Sequence, residues 1–549
     1  MHAYIKKLTA KNKTVFIFLC GITLFAYGTI LPGNFVFDDN IFIQNNIQIR
    51  SLGNIGEIYS SNTTAGSGLI GDNFYRPNQQ LIYAILYSLF ELTPFFFHLI
   101  SLAFHALNGC LVFVLFSKIG LKRRTAFFGS LLFLLHPILT EAVSYISGLS
   151  DPLAASTILL TLLIFLEAIK DIPPKKHVQW LLLGAAVFSL GLFSKENQIV
   201  SLGLLAALAI CEYKRGRLPR IFPAVVFIGI LSIIASVYVY ARLTVLDFTG
   251  VVGLTPEINN YTQHINIRLA TFIHILPEYF KMMLFPWHLN YEKPYAAYGS
   301  LAGIQSGIGM LILLAMGIVA VAGIFKKNIG VLHGSFLGLS WFIMALLPVS
   351  GIIPVNAMYL EHWLYLPIIG IILALCFLAE FLAKKLPPAV KKIALLAFPV
   401  ILILFIARIM MRNAEWGDPI RFYTNELRYT QSSARIYTDL GMEEAVRGRC
   451  DVAIGHYEKA ISLNDTYPQT HHNMARCLEH MGKPEAAANE YLKALFIQPN
   501  FIYSLAGLSN LLSSVGDRRG ASFFELTLKA QKNEPVTRAD IMQTVQEQQ

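Results

Sequence analysis

Apolar runs about 20 residues long recur along this chain, each able to cross a hydrocarbon core of about 30 Å. They centre on residues 14–32, 95–117, 125–140, 152–169, 178–194, 198–212, 221–241, 302–325, 331–348, 365–383 and 392–410. Backbone in lipid must satisfy its own hydrogen bonds, so these runs commit residues 1–411 to an all-α, polytopic membrane fold with about 11 transmembrane helices. Composition agrees, with 55% of residues hydrophobic and 14% charged. Residues 1–32 have the basic start and apolar run of a secretory signal. No small-x-small cleavage site lies near Pro32, however, and the segment reads as a retained first helix.

Basic residues set the orientation. Twenty-one Lys and Arg fall in one set of connections (Lys6 to Lys13, Lys118 to Arg124, Lys170 to Lys176, Lys214 to Arg220, Lys326-Lys327, Lys384 to Lys392), against 8 in the other, longer set. The first set belongs inside, which makes the N-terminus cytoplasmic and puts the chain beyond residue 411 outside after an odd number of spans. Residues 412–549 carry 15 basic and 17 acidic residues, so the net charge of +10 resides wholly in the membrane part. The basic balance is a topology signal, and nucleic acid is excluded as a partner. Four of the six cysteines sit in spans as small apolar residues. Only Cys450 and Cys477 share the exported part, which is no disulfide framework.

After Arg412 a period of 34 appears: Gly448, Gly482 and Gly516; Ala453, Ala487 and Ala521; Tyr457 and Tyr491; Ala460 and Ala494. This is the tetratricopeptide period, helix-turn-helix with small residues where helices cross. The expected division is a membrane domain over 1–411, a joint over 412–433, repeats over 434–467, 468–501 and 502–535, and a tail over 536–549. The third repeat has Glu525 and Leu528 at the Tyr and Ala positions, as a capping repeat would. Two outer loops are long, 33–78 and 242–300. Within the second, the amphipathic segment 267–289 is expected along the membrane interface, with Tyr279, Trp287 and Tyr291 at headgroup depth.

The polar clusters of the membrane part converge on the outer face. They are Asp38-Asp39; Tyr75-Arg76-Pro77; His136, Glu141 and Asp151 in HPILTEAVSYISGLSD; Lys195-Glu196 in SKEN; and Glu361-His362 in EHWLYLP. Ionisable groups at a span's end are costly and mark function by default, although Asp-Asp-Asn is also good turn chemistry. A carboxylate with cations and aromatics at a membrane face suits transfer from a lipid-phosphate sugar. The leaving phosphate needs cations, the tail needs bilayer, and the acceptor hydroxyl needs a base. Each residue has a plainer reading. Arg76 fits an interfacial anchor as well as a phosphate ligand, and His136 before Pro137 reads more readily as a helix cap. Glu141 and Asp151 suit structural or acceptor-side roles, and Lys195-Glu196 also fits an interfacial ion pair of small net worth. Glu361 and His362 fit either the donor site or a loop hydrogen bond. No metal-type spacing is present. A divalent ion is compatible with the chain without being indicated, and no other cofactor is implied.

These motifs resemble the GT-C glycosyltransferases, and within them the tetratricopeptide-bearing TMTC protein O-mannosyltransferases and their bacterial relatives. GNFVFDDNIFIQNN (33–46) resembles that branch's G-x-F-V-x-D-D. FYRPNQQ (74–80) is similar to its F/Y-R-P-L, with Asn78 where Leu is usual. HPILTEAV (136–143) resembles H-P-x-x-T-E-A-V, although Leu149-Ser150 interrupts the following G-R-x-D. FSKENQI (193–199), LFPWHLNYEKPY (284–295), EHWLYLP (361–367, with His362 for Arg) and RNAEW (412–416) match the remaining elements in order.

The resemblance implies inverting transfer of a monosaccharide from a polyprenyl-phosphate donor on the outer face. Asp38 or Asp39 would be the base and Arg76, Lys195 and His362 the phosphate side; His362 lacks arginine's permanent charge. The implied acceptor is Ser/Thr of an exported protein, held by the repeats' groove. Rival readings are transfer to a lipid or surface glycan, or a non-enzymatic repeat scaffold. A transporter should carry charges along the middle of its spans, and these have nearly none. Short inner loops point to a bacterial inner membrane with periplasmic repeats, an endoplasmic reticulum membrane with luminal repeats being the alternative. A topology reporter attached after residue 430 should be active only in its exported form; activity of a cytoplasm-only reporter there would reverse the orientation.

Overall fold

The structure is a computed structural model describing residues 9, 11–67, 74–218, 220–244, 261–293, 296–325, 330–355 and 357–531. The tail over 536–549, the end of the third repeat and the end of the 284–295 motif lie outside the described residues. Two compact units emerge, Met1–Asp418 and Pro419–Gln549.

In the first unit the helices of eight residues or more are α1 Asn12–Tyr27, α2 Pro77–Phe90, α3 Pro94–Ile119, α4 Arg123–Leu134, α5 Ser150–Ala168, α6 Pro174–Leu192 and α7 Val200–Lys214. They continue with α8 Phe222–Thr244, α9 Ile265–Leu284, α10 Ile304–Phe325, α11 Gly330–Leu346, α12 Pro367–Lys385 and α13 Pro388–Trp416. No strand occurs among the described residues. Among the described residues eight stretches are long and apolar enough to cross a membrane: Asn12–Ile30, Pro94–Ile119, Ile146–Ala168, Phe222–Thr244, Ile304–Gly323, Leu332–Val349, Pro367–Lys385 and Pro388–Trp416. The protein is a multi-pass, all-α membrane protein.

The span count differs from the expected eleven for physical reasons. The run over 125–140 is broken, α4 and the helix ending at Ser144 being bent by 51°. Pro137 supplies no N–H and pushes His136 into extended backbone (φ −79°, ψ 121°), so the helix cannot run through. Counted as one bent span, this pair makes a ninth. The other two runs are helices short of the requirement. α6 opens with Lys175, Lys176 and His177, and α7 has 15 residues, roughly 22 Å at 1.5 Å per residue. The amphipathic segment forms α9, which buries Arg268, Thr271, His274, Ile275 and Tyr279 at helical spacing while Ile265, Leu269 and Leu284 stay exposed.

The second unit begins with α14 Pro419–Glu426 and continues as three helix pairs: α15 Ala434–Val446 with α16 Cys450–Leu463, α17 Pro468–His480 with α18 Pro484–Ile497, and α19 Ile502–Ser514 with α20 Arg518–Gln531. The period-34 residues now have causes. Gly448, Gly482 and Gly516 adopt φ of +78°, +72° and +90° in the turn within each pair, a conformation that costs other residues their Cβ contacts. Tyr457 and Tyr491 are buried against Gly441 and Gly507, where an added Cβ would meet the rings at 2.5 and 2.6 Å.

One buried histidine makes this unit pH-sensitive. His471 Nδ1 lies 2.6 Å from Glu490 Oε2 and its Nε2 2.7 Å from Asp465 Oδ1, while Lys493 Nζ donates to Glu490 Oε1 at 2.7 Å. Burial alone would lower the His471 pKa, but the two carboxylates outweigh it and raise the value above the ordinary 6.5. The folded repeat therefore holds that proton more tightly than the unfolded chain. Its stabilisation is complete below about pH 6.5 and is lost as pH rises through the raised value. Glu490 is held low by His471 and Lys493 against the effect of burial, so its share is lost only as pH falls through its own lowered value. Amide protection factors in α17 and α18, taken relative to the intrinsic exchange rate at each pH, should accordingly be highest at mildly acid pH and fall toward alkaline pH. His471→Asn should abolish that alkaline loss of protection.

Candidate active site

The first outer loop is pinned where α1 ends. Asn34 N–H donates to the Gly417 carbonyl at 3.0 Å, and Asn413 Nδ2 donates to Thr29 Oγ1 at 2.8 Å. The following turn forces Phe37 to φ +60°, a left-handed conformation that costs a bulky residue of order 1–3 kcal/mol and clusters at functional sites. This turn makes the adjacent acids unequal. Asp39 is buried, its Oδ2 accepting from Val36 N–H at 3.0 Å and its Oδ1 from Ser147 N–H at 2.9 Å and from the Ser147 hydroxyl. Burial pushes its pKa up to about 7, against the pull of those hydrogen bonds. Asp38, between buried Phe37 and buried Asp39, keeps part of its surface open.

Arg76 precedes Pro77 at the start of α2. Asn78, the residue that departs from the family pattern, fastens that start to the end of α6. Its Nδ2 donates to Leu190 O at 2.7 Å and to Ser194 Oγ at 3.1 Å, and its backbone N–H donates to Phe193 O at 3.1 Å. Arg76 thereby comes within the field of Lys195 and Glu196. Its guanidinium lies 4.7 Å over the Phe74 ring, its Nε is buried without a partner, and it joins no ion pair among the described residues. Lys195 is buried and donates to Asp151 Oδ1 at 2.6 Å. Burial lowers its pKa, and Asp151 pulls back against that. Glu196 lies 3.8 Å from Arg242. Burial would raise its pKa, but Arg76, Arg242 and Lys195 together hold it below the ordinary range. Three cations against two carboxylates leave this group positive, which suits an anion. Tyr75 closes its side, Oη donating to Tyr59 O at 2.7 Å and the ring packing on Phe193 at 6.3 Å.

The remaining expected residues lie in a second group. Glu141, fully buried, accepts from the backbone N–H of Glu361 at 3.0 Å and of His362 at 3.3 Å, and pairs with His362 Nδ1 at 2.5 Å. Glu361, also fully buried, accepts from Asn290 N–H at 2.6 Å and Lys293 Nζ at 2.7 Å, with Arg412 at 3.4 Å. Arg412 and Arg408 in turn meet Glu415 at 2.7 and 3.2 Å. His362 therefore belongs with Glu141, and no interaction between it and Arg76 or Lys195 occurs among the described residues. The phosphate-side trio expected from sequence is divided between two groups. His136 has both nitrogens engaged, Nδ1 with Ile138 N–H at 3.3 Å and Nε2 with Met283 O at 2.9 Å, which is the capping geometry.

Sequence reasoning missed Ser147, Tyr145, Lys293, Arg242 and Arg412. Ser147 and Tyr145 lay inside a quoted motif, but only the fold shows that they face the acid pair. A wall of rings completes the site. Phe37 and Tyr291 centroids are 4.7 Å apart, Tyr145 stacks on Trp416 at 4.9 Å and 20°, and Tyr291 meets Trp416 at 6.3 Å. Among the described residues no group of three or more His, Cys, Asp or Glu is placed to hold a metal ion.

Comparison with known proteins agrees with the resemblance. Residues 456–488 match the tetratricopeptide repeat family model. The chain is similar to protein O-mannosyl-transferase Tmtc3 of Drosophila melanogaster, with 21% identity over 92% of this chain and 62% of that protein. It is also similar to human protein O-mannosyl-transferase TMTC4, with 24% identity over 79% and 64%. A shorter stretch, 26% of this chain, is 34% identical to human protein O-mannosyl-transferase TMTC1, of which it covers 17%. The chain thus spans under two thirds of the length of these relatives. The solved structure of ArnT from Cupriavidus metallidurans bound to undecaprenyl phosphate aligns with 88% of this chain and 80% of that one at 13% identity and TM-score 0.36, too slight a likeness to argue from.

The buried Lys195–Asp151 pair makes a stability prediction. Asp151→Ala strands an ammonium that is otherwise paired, and should cost about 3–5 kcal/mol. The double variant Asp151→Leu, Lys195→Met should recover most of that loss in thermal unfolding of the detergent-solubilised protein. Equal destabilisation by single and double variants would show that the pair's charge is not what matters.

Proposed function

We propose that this chain is an inverting glycosyltransferase that moves one monosaccharide from a polyprenyl-phosphate donor to a hydroxyl acceptor, Ser or Thr of an exported protein. The observation that carries the reading is the inequality of the acid pair. Asp39 is consumed in fastening its turn to Ser147, which leaves Asp38 as the carboxylate with open surface. A neutral hydroxyl attacking an anomeric carbon must lose its proton as the bond forms, and Asp38 is the group to take it. The leaving phosphate carries the electron pair of the broken bond and needs a cation that no carboxylate has claimed. Arg76 meets that description better than Lys195, whose ammonium is bound to Asp151, so Lys195 keeps the donor side positive while Arg76 touches the phosphate. His362 in this reading shapes the loop at Glu141, and Lys293 with Arg412 supplies the permanent charge that His362 lacks. Similarity to protein O-mannosyl-transferases makes mannose the first sugar to test.

The same reading places the protein in a bacterial inner membrane, with the N-terminus cytoplasmic and the repeats outside. In the repeats a cavity of about 370 Å³ lined by His472, Arg476, Tyr491, Tyr503 and Asn510 offers rings and polar groups to an extended acceptor segment.

With purified donor and acceptor, Asp38→Asn keeps shape and removes basicity, so turnover should fall by about 10² to 10⁴ while donor binding survives. Near wild-type transfer by this variant would remove the base. Arg76→Ala should raise the apparent donor KM more than the acceptor KM, and an unchanged donor KM would remove Arg76 from the phosphate side.

A further inference from the structure

Cys450 and Cys477 interrupt the repeat period. Pro484 and Arg518 stand at the positions that correspond to Cys450, and Glu443 and Leu511 at those that correspond to Cys477, so neither cysteine belongs to the pattern that builds the helix pairs. Yet the two meet. Cys450 opens α16, where Cys450, Ala453 and Tyr457 recur at helical spacing to make one buried face, and Cys477 of α17 completes the same cluster. Cys450 is 8% and Cys477 2% exposed, both are free thiols, and their side chains are within hydrogen-bonding reach of each other. A lone buried cysteine is ordinary packing by a small apolar side chain. Two that share one interface, each a departure at its own repeat position, set sulfur against sulfur between neighbouring repeats. In a solenoid each repeat touches only its neighbours, so the α16–α17 interface couples the first repeat to the second.

We propose that Cys450 and Cys477 are a disulfide site, joined on export so that the first repeat is stapled to the second, an assignment that rests on the outward orientation of the repeats in the reading above. Disulfides form and persist in oxidising compartments, whereas a cytoplasm keeps thiols reduced. The oxidant is the disulfide of a protein thiol–disulfide carrier. One cysteine, as its thiolate, attacks a carrier sulfur, so that a mixed disulfide forms and the carrier's other sulfur leaves as a thiolate. The second cysteine's thiolate then attacks the first cysteine's sulfur, closing the Cys450–Cys477 bond and releasing the carrier's remaining sulfur. Two electrons pass from the cysteine pair to the carrier, and the two thiol protons end on its dithiol. The exchange belongs before the repeats finish packing. Once they are folded, burial and the neighbouring Cys450 push the Cys477 thiol up to about 12, which leaves almost no thiolate to attack. The closed bond spans residues 451–476 and removes conformational freedom from the unfolded chain. Because α17 also carries His472 and Arg476 of the repeat cavity, the staple fixes one wall of that cavity to the first repeat.

Non-reducing peptide mapping of the full chain tests this. Membranes are quenched in acid, denatured and alkylated with N-ethylmaleimide before any reductant is added. Trypsin cuts after Arg449 and Arg476, so the expected product is peptide 450–459 joined to peptide 477–493, separated only by reductant. Alkylation of both cysteines, with a reporter after residue 430 active in its exported form, overturns the disulfide alone. Alkylation of both with a cytoplasm-only reporter active there overturns the orientation, and the disulfide with it. Amide exchange reads the stapling role. In the wild type a phosphine reductant should lower protection in α16 and α17 by about 10-fold or more. The Cys450→Ala, Cys477→Ala double variant keeps small apolar side chains at both positions and should not respond to reductant. Wild-type protection that is unchanged after the bond is reduced overturns the staple.

Discussion

Everything in the candidate site hangs on one buried stretch, Glu141 to Asp151. Glu141 holds the 361–362 loop, and Ser144 Oγ donates to Asn413 Oδ1 at 2.7 Å. Tyr145 stacks on Trp416, the Ile146 carbonyl accepts from Tyr83 at 2.7 Å, and Ser147 binds Asp39 while its carbonyl accepts from Gln79 at 2.9 Å. Asp151 holds Lys195. Segments far apart in sequence thus meet through a single run of chain. That run is available because Pro137 keeps α4 from running on and turns the backbone aside. A straight helix through 125–140 would have carried the same polar groups off in several directions, with nothing to share.

Burial explains why so many of these groups are ionisable. A carboxylate without water must be met by donors or cations, and Glu141, Glu361, Asp39 and Asp151 each are. Such pairs add little net stability, because desolvation offsets most of the attraction, but they are intolerant of one-sided change. They fix loops that have no helix to hold them. Asp38 is the exception that keeps open surface, and Arg76 the cation that joins no ion pair among the described residues. In the proposed reading these two residues give the site its direction, Asp38 facing the acceptor and Arg76 the leaving phosphate.

The sequence made the architecture legible where one period dominates. The apolar runs all became helices, and the 34-residue repeat revealed Gly448, Gly482 and Gly516, because a left-handed turn tolerates little else. Hydropathy could not separate a span from a buried helix. α7 is apolar but short, and the 125–140 run is apolar across a break that only Pro137 announces. At the site, residue types with costly burial stood out: Asp38, Asp39, Arg76 and Lys195 were all visible as charges in the wrong place. Ser147 and Tyr145 were not, since a serine and a tyrosine at a membrane face are ordinary and only contact geometry gives them a role. His362 was grouped with Arg76 and Lys195 because sequence shows charge and side of the membrane but not which charges share a neighbourhood.

The two units also differ in what their charges do. In the repeats the buried His471 lies between two carboxylates and responds to pH, whereas in the membrane unit Lys195–Asp151 and Arg412–Glu361 are pairs of buried permanent partners. The fixed part of the protein is the part that, in the proposed reading, brings the acceptor hydroxyl, Asp38 and the donor phosphate together. Strain at Phe37, an engaged Asp39 and a stacked Tyr145 are all ways of preventing movement there, and each is affordable only because the buried Glu141–Asp151 stretch over-determines the position of the rest.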